Sequence, residues 1–188
     1  MANIKLKKKG FTLIETIIAI TIFAILCFVL VNVYLKYYNA YHTQQAIISV
    51  AGSASTVANE LQNATLQAKQ VIISHTFSSG TYNSNQNVLV LQMPSIDSYG
   101  NILSDKYDYV VFYASGMDFY RLIEVDGSSS RDQGLKKLSD TVSTIYFFYN
   151  DSDFSKVNEI TVDINMQKTS GHQTFPYNLD QKLYLRNL

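Results

Sequence analysis

An apolar run near the amino terminus constrains this chain more than any other feature of the sequence. Between Ile17 and Val31 every residue is apolar except Thr21, and the segment from Phe11 to Leu35 contains 25 residues. A helix needs about 20 residues to cross a hydrocarbon core ~30 Å thick. The sequence therefore predicts one membrane-spanning helix.

The flanks of the run predict its orientation. Lys36 alone follows it closely, whereas four lysines precede it: Lys5, Lys7, Lys8 and Lys9. Because positive residues are retained on the cytoplasmic side, we expect the amino end inside and the remainder exported. Four tyrosines follow the run, where aromatic rings favour the membrane–water boundary; they are Tyr34, Tyr37, Tyr38 and Tyr41.

A cleaved secretory signal peptide is the alternative interpretation of this segment. The apolar run is longer than the roughly 7 to 15 residues of a signal peptide, and no small-x-small cleavage site follows it. Glu15 also lies inside the first turn of the predicted span. A carboxylate at the membrane centre costs about 2.5–3.5 kcal/mol, and less near the interface, so its presence calls for a specific role.

The sequence Gly10-Phe11-Thr12-Leu13-Ile14-Glu15 behind a basic leader resembles the processing site of type IV pilins and pseudopilins. The resemblance implies cleavage between Gly10 and Phe11 by prepilin peptidase, followed by N-methylation of Phe11. Glu15 would then pair with the α-amino group of a neighbouring subunit, and such a pair is favourable in low dielectric only when both partners are present. The alternative is an ordinary membrane anchor with a snorkelling glutamate.

The resemblance also implies a division of the chain and a set of partners. It predicts a leader peptide over residues 1–10, a transmembrane half-helix over 11–35, and an extracytoplasmic pilin-like domain over 36–188. The implied partners are other pilin or pseudopilin subunits, prepilin peptidase, the membrane and the inner-membrane assembly platform. A subunit of this kind is structural, with no enzymatic activity and no cofactor.

Beyond the tyrosines, the spacing of small and apolar residues predicts that the helix continues to about Gln70 with one narrow buried stripe. We place the stripe on Ile47, Ala51, Ala54, Ala58, Leu61, Ala64 and Ala68, and we assign Glu60 and Gln67 to the opposite, solvated face.

The rest of the sequence changes to short β-prone runs bounded by Gly, Ser, Asn and Asp. The runs are 71–77, 87–93, 107–114, 117–125, 142–149, 157–166 and 179–188. Ser115-Gly116 is predicted to form a two-residue hairpin loop, and Asp126 to begin a longer exposed loop. The expected fold is α+β: one long helix, membrane-spanning in its first half, packed on an antiparallel sheet.

Several of these runs resemble the bodies of J-type minor pseudopilins and W-type minor pilins. The segments that carry this resemblance are Leu89–Met93 with Pro94–Asp97, Tyr107–Tyr113, Arg121–Ile123, Leu138–Ser139 and Leu183–Asn187. Many major pilins also kink the first helix with a proline, whereas the prolines here are Pro94 and Pro176.

Other chemistry has weak support in the sequence. Outside the basic leader, 11 Lys and Arg face 15 Asp and Glu, so no basic face for nucleic acid is expected. The single Cys27 excludes an internal disulfide, and no histidine has metal-binding spacing. Loop carboxylates are calcium candidates, although Asp is also the commonest turn residue; the candidates are Asp97, Asp105, Asp108, Asp151 and Asp153.

These observations together predict a minor pilin or pseudopilin of a type IV pilus, a type II secretion system or a competence machine, located at the filament tip. The rival interpretation is a membrane-anchored extracytoplasmic binding module or enzyme whose anchor is never processed. The two differ in the amino-terminal residue of the mature protein.

Overall fold

The computed structural model describes residue 10 and residues 12–171 and 173–186. They contain one long helix, α1 (Leu13–Gln67), and a 3-10 turn over Phe154–Lys156. The strands are β1 (Gln70–Val71), β2 (Ser74–Phe77), β3 (Gly80–Asn83), β4 (Val88–Ile96), β5 (Ile102–Ser115), β6 (Asp118–Glu124), β7 (Gly134–Ser139), β8 (Val142–Tyr149), β9 (Glu159–Ser170) and β10 (Gln173–Tyr184). The chain divides into two compact units, with the boundary between Gln44 and Gln45.

All the strand pairings described are antiparallel, and the predicted α+β class is confirmed. The strands form three sheets rather than the one we expected: a five-stranded sheet in the order β1-β4-β5-β6-β7, a three-stranded sheet in the order β10-β9-β8, and the hairpin β2-β3. Backbone hydrogen bonds link β8 to segments that flank strands of the five-stranded sheet, including one from the Phe147 N–H to the carbonyl of Gln86, before β4, at 2.8 Å. The alternation of apolar residues predicts strands but does not determine which strands share a sheet.

Most of the predicted strands are confirmed, and two short ones were missed. β3 lies between Gly80 and Asn83, and β7 is polar along most of its length, so neither has the apolar alternation of a strand. The last run was predicted too late in the sequence, because β10 begins at Gln173 and ends at Tyr184. Twelve residues of β10 pair in register with β9. The strand therefore includes the polar residues that precede the predicted run.

The predicted hairpin loop is displaced by one residue. Ser115 pairs with Asp118, so Gly116 and Met117 form the two-residue turn between β5 and β6. Gly116 has a φ of 63°, in the left-handed region that glycine occupies without a steric penalty. Ser115 therefore belongs to the strand and not to the loop.

The buried stripe of α1 confirms four of the predicted positions and corrects the other three. Ala54, Leu61, Ala64 and Ala68 are buried, but Ile47 is 48% exposed and Ala51 and Ala58 are only partly buried. The buried positions instead are Ala46, Val50 and Val57. Apolar residues adjoin each of these sites, so the sequence pattern fits two stripes that differ by a rotation of one residue.

The helix and both larger sheets share one core. The buried residues of α1 from Val50 onward, together with Ala68 just after it, form one cluster with side chains of β4, β5 and β6 and of β8, β9 and β10. A second cluster lies under the hairpin β2-β3, where Phe77 packs with Val90, Val111 and Leu122. The His75 ring stacks on Tyr109 with a centroid distance of 3.7 Å.

The prediction that Glu60 lies on a solvated face of the helix is wrong. Its carboxylate accepts from Arg121 Nη1 at 2.5 Å and from Lys136 Nζ at 2.6 Å, and its side chain is only 19% exposed. Arg121 lies on β6 and Lys136 on β7. The three charges therefore connect the helix to the five-stranded sheet.

We predict that this connection weakens in acid. Desolvation opposes ionisation of Glu60, but the hydrogen bond from Lys136 and the charge of Arg121 outweigh it, so the pKa of Glu60 lies below its usual value. A lowered folded-state pKa stabilises the fold above the unfolded pKa, about 4.3, and the contribution disappears as the pH falls through the folded value. After allowance for solvent screening, Glu60→Gln should reduce the free energy of unfolding by about 1 kcal/mol at pH 7.

Urea unfolding of the wild type and of Glu60→Gln between pH 7 and pH 3 checks this prediction. The difference between the two proteins should shrink below about pH 4.3. A difference that stays constant over this range would show that the Glu60 charge makes no contribution.

Candidate functional site

Gly10 precedes the helix and is exposed to solvent. A Cβ added at this position would meet no atom of the described chain within 4 Å. Packing against the described residues therefore does not require a glycine here. Lys5, Lys7, Lys8, Lys9 and Phe11 lie outside the described residues, so the predicted cleavage and methylation are not tested by the geometry.

The first turn of α1 is closed by a capping box. The Thr12 N–H and the Thr12 hydroxyl both donate to Glu15 Oε2 at 2.9 Å, and the Glu15 N–H donates to Thr12 Oγ1 at 3.3 Å. This reciprocal arrangement satisfies amide groups that have no partner within the helix. The pattern Thr-x-x-Glu is visible in the sequence and would have predicted Thr12 as the helix cap.

The capping box places the Glu15 carboxylate at the amino end of the helix, where the helix dipole favours a negative charge. Only Oε2 receives these hydrogen bonds, and Glu15 is exposed. The carboxylate is therefore oriented by Thr12, and no hydrogen bond to Oε1 is made by the described residues.

The part of α1 that follows Glu15 has an apolar surface that is exposed in the described residues. Side chains that are normally buried are exposed here by half or more: Ile17, Ile18, Ile20, Ile22, Phe23, Ile25, Leu26, Phe28, Val29, Leu30, Val31, Val33 and Leu35. Among the described residues, α1 is the one helix long and apolar enough to cross a membrane. An apolar surface of this kind requires lipid or the apolar surface of other subunits.

The few polar side chains in this segment satisfy their hydrogen bonds within the helix. Thr16 Oγ1 donates to the Thr12 carbonyl, Thr21 Oγ1 to the Ile17 carbonyl, and Asn32 Nδ2 to the Phe28 carbonyl at 2.8 Å. Such bonds to the preceding turn allow polar residues in an apolar environment. Glu15 is the one ionisable acid or base between Thr12 and Leu35, apart from Cys27 and Tyr34.

The predicted calcium candidates lie at three separate places: Asp97 after β4, Asp105 and Asp108 on β5, and Asp151 and Asp153 before the 3-10 turn. Asp97 accepts from the Tyr99 N–H at 2.8 Å and the Asn101 N–H at 2.9 Å, and hydrogen bonds from Asn101 lower its pKa. Asp151 accepts from the Asp153 N–H, and Asp153 caps the 3-10 turn by accepting from the Ser155 N–H. Asp105 has a φ of 56° at an exposed position of β5.

Asp108 has a structural environment that the sequence did not indicate. It is fully buried and pairs with Arg131 Nε at 2.9 Å. It also accepts from Ser95 Oγ and Ser129 Oγ, both at 2.8 Å, and from the Asp126 N–H. Over residues 12–171 and 173–186, no three His, Cys, Asp or Glu side chains come close enough together to hold a metal ion.

A family model described as the prokaryotic N-terminal methylation motif matches residues 5–31 of this chain. No curated protein matches the chain. The matched segment contains Gly10, the capped first turn with Glu15, and the exposed apolar part of α1 up to Val31. The motif supports the type IV pilin family and indicates that this chain is a pilin-like or pseudopilin-like substrate of prepilin peptidase.

Proposed function

We propose that this protein is a structural minor subunit of a type IV pilus or of a type II secretion or competence pseudopilus. The observation that carries the proposal is the methylation motif over residues 5–31 on a helix with an exposed apolar surface. Before assembly this surface lies in the membrane, with the basic amino end in the cytoplasm and residues 36–188 outside. During assembly it packs against the corresponding helices of other subunits.

Processing is the step that distinguishes this role from that of an unprocessed anchor. Prepilin peptidase cleaves between Gly10 and Phe11, and the new amino terminus of Phe11 is methylated. The full chain should be expressed with and without a prepilin peptidase, and its amino terminus identified by mass spectrometry. A chain that still begins at Met1 or Ala2 in the presence of the peptidase would favour a membrane-anchored binding module or enzyme.

Glu15 has its role in assembly rather than in membrane insertion. Glu15→Val removes a carboxylate from the apolar segment, so the protein should remain inserted and processed. It also removes the charge that pairs with the α-amino group of a neighbour, so we expect at least about a tenfold loss of incorporation into purified filaments, equivalent to about 1.4 kcal/mol.

Glu15→Gln provides the matched control for this prediction, because glutamine at the same position also completes a capping box. If the charge is required, Glu15→Gln should be as deficient in sheared filaments as Glu15→Val. Normal incorporation of both variants would show that Glu15 acts neither by charge nor by capping.

A position at the tip follows from the proposed minor role. The strand segments similar to those of J-type and W-type subunits and the absence of a proline from α1 support this position. Quantitative mass spectrometry of sheared filaments should find this chain far below the major subunit, and immunogold label should concentrate at one end. Even labelling along the shaft at near-equal abundance would identify it as a major subunit.

A further inference from the structure

The three-stranded sheet has one face in the core and one face free. Its inward residues include Phe147, Ile160, Val162 and Ile164, all at most 1% exposed. The opposite face is built from alternate residues of the same strands. In the register of these strands, Tyr146 pairs with Asp163 and Asp163 pairs with Asp180, so these three side chains form one row across β8, β9 and β10.

Tyr146 belongs to this row, and the ring of Phe148 lies beside it. Tyr146 is 36% exposed and Phe148, two residues further along β8, is 48% exposed. Their ring centroids lie 6.4 Å apart with an interplanar angle of 42°. The pair therefore presents adjacent aromatic surface to solvent rather than a single isolated apolar side chain.

Two aspartates of this row, Asp163 and Asp180, lie directly opposite each other on neighbouring strands. Directly opposite residues in an antiparallel pair have Cβ atoms about 4.5–5.5 Å apart, and like charges at such positions are destabilising. Asp163 accepts from the neutral Asn165 Nδ2 at 3.3 Å. Lys182, two residues after Asp180, donates instead to Glu159 at 2.8 Å. No cation of the described chain pairs with Asp163 or Asp180.

Many carboxylates elsewhere in the domain have a cation of their own, including Glu60, Asp108, Asp118 and Asp126. The Asp163–Asp180 pair has no such cation among the described residues, and it lies beside the exposed rings of Tyr146 and Phe148. A guanidinium or ammonium group satisfies both features, since it pairs with carboxylates and is attracted to an aromatic face within about 6 Å.

We propose that the outward face of β8-β9-β10 is a docking surface for a basic segment of a partner protein. An arginine or lysine of that segment lies between Asp163 and Asp180 and contacts the rings of Tyr146 and Phe148. The cation of the partner compensates two carboxylates that lie opposite each other on neighbouring strands. This surface goes beyond the filament-subunit role and is independent of amino-terminal processing.

The test uses the full chain, isotopically labelled in an uncharged detergent, at low ionic strength. The probe is the peptide acetyl-Gly-Arg-Gly-Arg-Gly-amide, and its neutral counterpart replaces each arginine with citrulline. Binding is followed by NMR chemical shifts. The arginine peptide should shift the Tyr146, Asp163 and Asp180 amides in a saturable way, and 0.5 M salt should remove the effect because exposed charges are then screened.

Two double variants then distinguish binding at this surface from nonspecific attraction of the peptide to a negatively charged protein. The double variant Asp163→Asn with Asp180→Asn should bind the arginine peptide at least about tenfold more weakly. The matched control Asp105→Asn with Asp132→Asn changes the net charge equally and should bind within about twofold of the wild type. The first double variant should also melt at or above the wild-type temperature, which shows that it is folded.

Three results would overturn the proposal. They are equal binding of the citrulline peptide, shifts spread over all acidic surfaces with no loss in the Asp163→Asn, Asp180→Asn variant, and saturable binding of Ca²⁺ alone at the same amides. The last result would identify a metal site in place of a protein-docking surface.

Discussion

The Gly10→Val substitution is expected to abolish processing by prepilin peptidase while leaving the rest of the protein unchanged. A Cβ at Gly10 would touch nothing within 4 Å in the described chain, so the proposed function assigns the need for glycine to the peptidase and not to packing against the described residues. A protease pocket fitted to glycine excludes larger residues, and each misfit methylene in a fitted site is worth about 1–3 kcal/mol. Since valine adds three carbons, cleavage should slow by at least about a hundredfold.

Each protein is incubated with purified peptidase, and mass spectrometry measures the fraction of chains that have been cleaved as a function of time. Gly10→Ala is the matched variant and should be slowed less than Gly10→Val. Near-ultraviolet circular dichroism should give the same melting curve for all three proteins. Cleavage of Gly10→Val at the wild-type rate would refute recognition of this glycine, whereas an uncleaved wild type would refute the proposed function itself.

The second large effect is expected at Asp108. Replacing it with alanine leaves Arg131, which is only 14% exposed, without its counterion, and it also removes the acceptor for the hydroxyls of Ser95 and Ser129. Removal of one partner from a buried ion pair typically costs about 3–5 kcal/mol. Asp108→Ala should therefore lower the free energy of unfolding by this amount.

Arg131 shows why the effect extends beyond one pair. Its guanidinium also donates to the Pro94 carbonyl at 3.1 Å and to Gln67 Oε1. The Asp108–Arg131 pair thus connects the end of α1, β4, β5 and the loop that follows β6. Loss of Asp108 weakens the arrangement of all four elements.

Urea unfolding, followed by near-ultraviolet circular dichroism, measures this effect. Asp132→Ala is the control, because Asp132 is exposed and its loss should change stability by no more than about 0.5 kcal/mol. The double variant Asp108→Leu with Arg131→Met should recover part of the loss, since it leaves no buried charge unpaired. Equal stability of Asp108→Ala and the wild type would show that the buried pair contributes nothing.

The amino-terminal features were predictable because they are local. The apolar run of α1, the basic leader and the Gly10-to-Glu15 motif are continuous in sequence, and each can be interpreted without knowing what packs against it. The same holds for strands with strong apolar alternation, such as β4 and β8. Even the capping box of Thr12 and Glu15 depends on residues three apart in the chain.

The tertiary structure alone decided the features that depend on distant residues. Ala46, Val50 and Val57 are buried in place of their neighbours Ile47, Ala51 and Ala58 because the sheets contact that side of α1. Glu60 meets Arg121 and Lys136 across more than 60 residues of sequence, and Asp108 meets Arg131 in the same way across 23. Hydrophobic periodicity predicts that one face of a helix is buried. Which residues form that face, and which charged side chains meet across the fold, is decided by tertiary packing, because these contacts join residues that are far apart in the sequence.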